Sequence, residues 1–246
     1  MRKLLRFLLG LAACGALVFG TVNLAGYLRE SRQSVRLNEE LIEDAVEVRP
    51  FQPEDDPAEG VPIQVDFEVL AETNGDIIGW LYSEDTPINL PVVQSSDNER
   101  YLRRLVDGSW NSSGALFADY RNAGDFSDPN TVIYGHNMKN GKMFGTLPNY
   151  KRQAYYDEHP QMWLLTPEGD YRVELVAGYV TSADSGVYDF DQSEEAVLAA
   201  VQRAMERSTF TSGAEIAEGD RFLTLSTCSY AYDDARYVLI GRLTAE

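Results

Sequence analysis

The chain opens on an unbroken apolar run. Residues Phe7–Leu28 carry no charge over 22 positions and follow Arg2, Lys3 and Arg6. A run of that length crosses a bilayer as a helix. The basic flank predicts a cytoplasmic N-terminus, with the rest of the chain outside the cell. The competing reading is a cleaved signal peptide, which the small residues of Val18–Gly26 would suit. The run is long for a signal h-region, which favours an uncleaved anchor.

Beyond the run the pattern changes twice. Arg29–Arg49 is charged and compatible with a helix, with apolar positions at Val35, Leu37, Leu41, Ile42 and Val46. Pro50–Pro62 then holds four prolines and four acidic residues, which reads as a linker because proline blocks helix continuation. The predicted organisation is a cytoplasmic end and anchor over 1–28, a helical stalk and linker over 29–64, and a folded domain over 65–246.

Within the domain short apolar runs dominate. Asp66 is placed to cap a short helix ending at Asn74-Gly75. Ile77–Tyr82, Pro91–Gln94, Gly114–Ala118 and Thr131–Tyr134 read as strands, and Asp97 as the cap of a helix through Leu105. Tyr150–Glu158 is a weak helix. Trp163–Thr166 and Tyr171–Thr181 flank the turn Pro167–Asp170 and predict a hairpin. Glu194–Arg207 carries Val197, Leu198, Val201 and Met205 at helical spacing and is the clearest helix. Arg221–Thr227 and Arg236–Leu243 are the last two strands. Many short strands with a few inserted helices predict a mainly β domain, closed or nearly closed as a barrel.

Charge and cysteine content narrow the function. The net charge of −18 argues against nucleic acid, whose phosphates need a basic face. It fits a domain outside the cell. The two cysteines are Cys14, inside the apolar run, and Cys228, so a disulfide between them is not expected. No Cys/His cluster has zinc-ligand spacing, and no cofactor is expected. A lone thiol facing an oxidising compartment calls for a use, and nucleophilic attack on a carbonyl is the chemistry a thiolate performs best.

Three residues supply that chemistry. Cys228 ends one strand, Arg236 starts the next after a seven-residue connection, and His136 follows the strand Thr131–Tyr134. Antiparallel neighbours joined by so short a loop bring Cys228 and Arg236 together. Attack on an amide builds charge on the carbonyl oxygen, which a guanidinium stabilises. The leaving amine needs a proton, which an imidazolium supplies. No carboxylate is assigned to orient His136. Each residue also has an ordinary structural reading: a buried small hydrophobe, a turn histidine and a solvated arginine. His159 is a second histidine, but Pro160 follows it and a structural role fits better.

Longer strings decide between these readings. Thr224-Leu-Ser-Thr-Cys228 followed by Arg236 resembles the active-site signature of sortases. Asn130-Thr-Val-Ile-Tyr-Gly-His-Asn137 resembles their histidine motif. The extension Met138–Gly145, the run Phe117-Ala-Asp-Tyr-Arg-Asn122 and the serine at 226 resemble class B in particular. The resemblance implies a closed barrel of about eight strands with N-terminal helices. It implies a membrane-anchored cysteine transpeptidase that cleaves a C-terminal sorting signal of the NPxTx kind after threonine. Cys228 would form a thioacyl intermediate, which an amine of a peptidoglycan precursor would resolve. His136 would serve as acid then base, and Arg236 would hold the oxyanion, supplemented by backbone N–H groups near Ser229. Substrate-binding positions carried over by the resemblance are Ser226, Tyr134, Asn98, Leu102, Thr181 and Tyr188, with Ala183–Phe190 as the specificity loop. Two alternatives stay open: a hydrolytic cysteine peptidase of the same fold, and a pilus-polymerising sortase. The latter carry an Asp-Pro aromatic lid, whereas here Asp56-Pro57 is followed by Ala58.

Overall fold

The computed structural model describes residues 2–49, 60–183, 185, 188 and 192–246, with backbone alone at 2–9, 11 and 12. The described chain forms two compact units, Met1–Glu40 and Leu41–Glu246. Helix α1 (Arg2–Ala45) makes up the first, and its last turn belongs to the second, where Leu41 and Ala45 are buried. The expected bilayer-crossing run begins on side chains outside the described residues. Among the described residues no helix is long and apolar enough to cross a membrane.

The second unit begins with a small ribbon. β1 (Val46–Val48) pairs antiparallel with β2 (Ile63–Val65). Most of the proline- and acid-rich segment between them, including Asp56-Pro57, lies outside the described residues. The end of that segment is structural, since Val61 and Ile63 are buried. Asp66 caps α2 (Phe67–Thr73) as its position predicts, accepting from the Glu68 and Val69 N–H groups at 3.0 and 3.1 Å.

Eight strands then close a barrel. They are β3 (Ile77–Tyr82), β4 (Asn89–Val93), β5 (Leu116–Ala118), β6 (Asn130–Tyr134), β7 (Gln161–Thr166), β8 (Gly169–Ser182), β9 (Arg221–Cys228) and β10 (Ala235–Ala245). The order around the barrel is β10-β8-β7-β3-β4-β5-β6-β9. β4–β5 and β6–β9 pair in parallel and the other neighbours antiparallel. Strand residues alternate between faces. Leu81, Leu116, Ile133, Leu164, Leu175, Leu225 and Leu239 are among the side chains buried within one cluster to which every barrel strand contributes. Each such aliphatic side chain stabilises the fold by roughly 1.5–3 kcal/mol when fully buried.

The opposite face of β8–β10–β9 is covered in part by α4 (Glu194–Glu206). Val197, Val201 and Ala204 pack there on Val176, Tyr179, Val238 and Ile240. Ser193 caps this helix through the Ala196 N–H.

Two predicted helices are corrected. The helix expected from Asp97 to Leu105 is a single 3-10 turn, Arg100–Leu102. Asp97 does accept from the Glu99 and Arg100 N–H groups, both at 2.8 Å. Arg103 leaves helical geometry, and the Leu105 N–H turns to the Ser109 carbonyl, folding the chain back on itself. The helix expected over Tyr150–Glu158 splits at the extended residue Arg152 into a 3-10 turn, Leu147–Lys151, and α3 (Gln153–Glu158).

Candidate active site

Alternation on two adjacent strands creates the site. Leu223 and Leu225 of β9, with Tyr237 and Leu239 of β10, point into the barrel. Ser226, Cys228 and Arg236 therefore share the outer face. Arg236 is the direct register partner of Cys228, as the short connection predicts. Its Nη1 donates to the Asp234 and Ala235 carbonyls at 3.2 and 3.1 Å, and among the described residues Nη2 and Nε have no hydrogen-bond partner.

The histidine arrives on the parallel neighbour of β9. The Gly135 N–H donates to the Ser226 carbonyl at 3.1 Å, and Thr227 Oγ1 donates to the Gly135 carbonyl at 2.8 Å. Asn137 Nδ2 donates to the Cys228 carbonyl at 2.8 Å. Three bonds thus carry the run 135–137 alongside the end of β9. Glycine at 135 is a steric requirement, because a Cβ there would sit 2.5 Å from Leu116 Cδ2 and 2.7 Å from Phe144 Cδ2. His136 Nε2 lies 2.8 Å from the Leu102 carbonyl. A carbonyl oxygen only accepts, so this contact assigns the Nε2 proton and holds the ring against the Arg100–Leu102 turn. His159 lies elsewhere, at the end of α3, with its ring stacked on Tyr155 at 4.4 Å.

These groups line one pocket of about 340 Å3. His136, Cys228 and Arg236 meet there. Asn98 and Leu102 form part of its wall, and Tyr134, Tyr188 and Ser226 also line it. Thr181 is the exception among the residues read from the sequence. It is buried on β8 as the cross-strand partner of Arg236, beside it on the same face and one strand further from Cys228, and it is not among the residues that line the pocket. Of the backbone N–H groups around Ser229, that of Ser229 itself donates to the Ala235 carbonyl at 2.8 Å.

Of the expected specificity loop, only Ala183, Ser185 and Tyr188 are among the described residues. Tyr188 closes the pocket from that side. Its hydroxyl shares a 2.7 Å hydrogen bond with Ser226 Oγ, and its ring stacks on Tyr134 at 6.2 Å. Burial pushes the Tyr188 hydroxyl up to about 12, against the Ser226 bond and the nearby Arg236 charge, which pull it down.

One central residue was not singled out from the sequence. Asp119 is wholly buried beneath the pocket. Its carboxylate accepts from Arg121 Nε at 2.9 Å and Nη2 at 2.8 Å, from Tyr134 Oη at 2.9 Å and from Asn98 Nδ2 at 3.1 Å. Burial alone would raise its pKa. The Arg121 side chain and backbone N–H, with Tyr134 and Asn98, outweigh burial and hold it at about 2. Phe117, which packs on Tyr134 at 5.3 Å, is a further wall residue. Both lie in the string Phe117–Asn122. The signal that could have found Asp119 is an acid two residues before an arginine and next to a strand.

Comparison with known proteins places this arrangement. A family model described as "Sortase domain" matches residues 81–244. Sortase B of Listeria monocytogenes is 36% identical over 180 residues, covering 72% of this chain and 73% of that protein. The crystal structure of sortase B from Bacillus anthracis in complex with AAEK1 superposes with a TM-score of 0.73 at 29% identity, covering 89% of this chain and 99% of that one. A sortase B crystallised in complex with triglycine superposes with a TM-score of 0.68 at 27% identity, covering 73% of this chain and 85% of that one. With the closed eight-stranded barrel already in view, these matches establish that the chain belongs to the sortase family of cysteine transpeptidases, among the class B enzymes.

Proposed function

We propose that this enzyme cleaves a C-terminal sorting signal after threonine and transfers the shortened protein to an amine of a peptidoglycan precursor. The observation that carries the reading is the meeting of Cys228, Arg236 and His136 on one pocket, with the first two as register partners. Cys228 Sγ attacks the threonine carbonyl as a thiolate. Charge gathers on that oxygen, where the Nη2 and Nε donors of Arg236 stabilise it. The C–N bond then breaks, and the departing amine takes a proton from His136. To deliver it, the ring either releases the Leu102 carbonyl or uses Nδ1. The thioester is next attacked by the incoming amine, which gives its proton to His136, and the thiolate leaves.

Asn98, Leu102, Tyr134, Tyr188 and Ser226 are proposed to bind the sorting peptide, with Thr181 flanking Arg236 on the neighbouring strand. An NPxTx-like sequence is the proposed signal. The relative crystallised with triglycine supports an oligoglycine amine as acceptor. The uncharged sequence Phe7–Leu28 after a basic start supports attachment to the cell membrane, with the barrel outside.

The test is incubation of the purified chain with a library of NPxTx peptides, with and without triglycine. Mass spectrometry should find an acyl adduct on Cys228 and, with triglycine, a ligated product. Hydrolysed product alone would favour a cysteine peptidase. Undiminished cleavage by Cys228→Ala would overturn the nucleophile assignment.

A further inference from the structure

Asn98 is held at both ends of its amide. Its Nδ2 donates to Asp119 Oδ2 at 3.1 Å, and its Oδ1 accepts from the Tyr120 N–H at 3.0 Å. An amide has two N–H donors and two acceptor lone pairs, so among the described residues one of each remains for a ligand. Flipping the amide would set its oxygen against the carboxylate and its NH2 against a backbone N–H, losing both bonds. Asp119 therefore decides which edge Asn98 offers to the pocket.

The same carboxylate reaches a second wall. Tyr134 Oη donates to it at 2.9 Å, fixing the ring that packs between Phe117 and Tyr188. Arg121, paired with Asp119, extends Nη2 to within 3.5 Å of the Tyr188 carbonyl. Two of the donors to the Asp119 side chain, Asn98 and Tyr134, belong to residues that line the pocket. Among the described residues the carboxylate has no bond to His136, whose ring goes to Leu102 instead. Its place is behind the walls.

We propose that Asp119 is a positioning residue for the peptide-binding groove: it sets the Asn98 amide and the Tyr134 ring in the orientation that receives the peptide backbone. This rests on the acyl-transfer reading above. Asp119 touches neither substrate nor thiol, so its loss weakens peptide capture and leaves the chemical step intact.

Kinetics of the full chain with Asp119→Asn test this, using a fluorogenic NPxTx peptide and triglycine. The expected result is a KM for the peptide raised by about tenfold or more, the loss that one or two displaced hydrogen bonds produce. The kcat, the KM for triglycine and the rate of Cys228 alkylation by iodoacetamide should stay within about twofold, because none of them depends on the groove walls. In the double variant with Asn98→Ala, the two effects on KM should fail to add. An unchanged peptide KM, or a fall in kcat with KM intact, would overturn the proposal. Where Asp119→Asn does not fold, Tyr134→Phe removes one of the carboxylate's donors and should raise the peptide KM alone; no change there would also overturn it. Wild-type protein that gives neither product nor Cys228 adduct would refute the acyl-transfer reading, whereas an active wild type with an unaltered variant KM refutes only the positioning role.

Discussion

Thr227 Oγ1 donates to the Gly135 carbonyl at 2.8 Å, tying the residue before the candidate nucleophile to the residue before the candidate acid. Thr227 is buried, so the bond is shielded from water. Replacing it with valine keeps the shape and strands the carbonyl. Thr227→Val should cost about 1–2 kcal/mol in denaturant unfolding. It should also lower kcat more than it raises peptide KM, because it loosens the relative placement of His136 and Cys228. An unaltered kcat would show that the β6–β9 ladder alone sets their spacing.

Gly135 leaves no room for a side chain. Gly135→Ala drives a methyl into Leu116 and Phe144, both fully buried in the barrel core. Overpacking of this kind costs about 1–3 kcal/mol, seen as a lowered Tm, and should displace His136 enough to reduce turnover. A Tm equal to that of the wild type would mean the core yields more readily than its packing implies.

Arg236 presents a planar fork that lysine lacks. Arg236→Lys keeps the charge and loses the paired donors. In steady-state assays kcat/KM should fall by roughly a hundredfold or more, the scale of losing an oxyanion donor, while Tm stays near that of the wild type. Near-full activity would mean that charge alone suffices.

Acid stability follows from Asp119. An aspartate in the unfolded chain titrates near 4, whereas Asp119 in the fold is held at about 2. The unfolded state therefore binds the proton first as pH falls. The stabilisation is complete above the unfolded value and is lost as pH drops through the folded one. It amounts to roughly 2.5 kcal/mol. Urea melts from pH 6 to pH 2 should show Asp119→Asn with a flatter decline than wild type. Parallel curves would mean that other carboxylates govern acid unfolding.

The sequence was most legible where strand and chemistry coincide. The run ending at Cys228 and the one starting at Arg236 are strands because their alternating apolar residues face the barrel, and their short connection forces the pair together. The hairpin turn, which narrows to Pro167-Glu168, and the Asp66 cap follow from local hydrogen bonding, which neighbouring residues decide. Legibility failed where distant contacts decide. Asp97 looks like the start of a helix, yet the Ser109 carbonyl captures the Leu105 N–H and ends it after one turn. Asp119 matters through partners at positions 98, 121 and 134, and only the closed barrel brings them together.

The parallel pairing of β6 with β9 has a consequence for biogenesis. Gly135 and Thr227 are 92 positions apart. Long-range pairings of this sort form late, after much loop entropy has been lost. Imidazole and thiol thus stay apart in a nascent chain until its closing hairpin docks. Catalytic competence would appear all at once at the end of maturation, and a product truncated before Arg236 would be inert however well its earlier strands had formed.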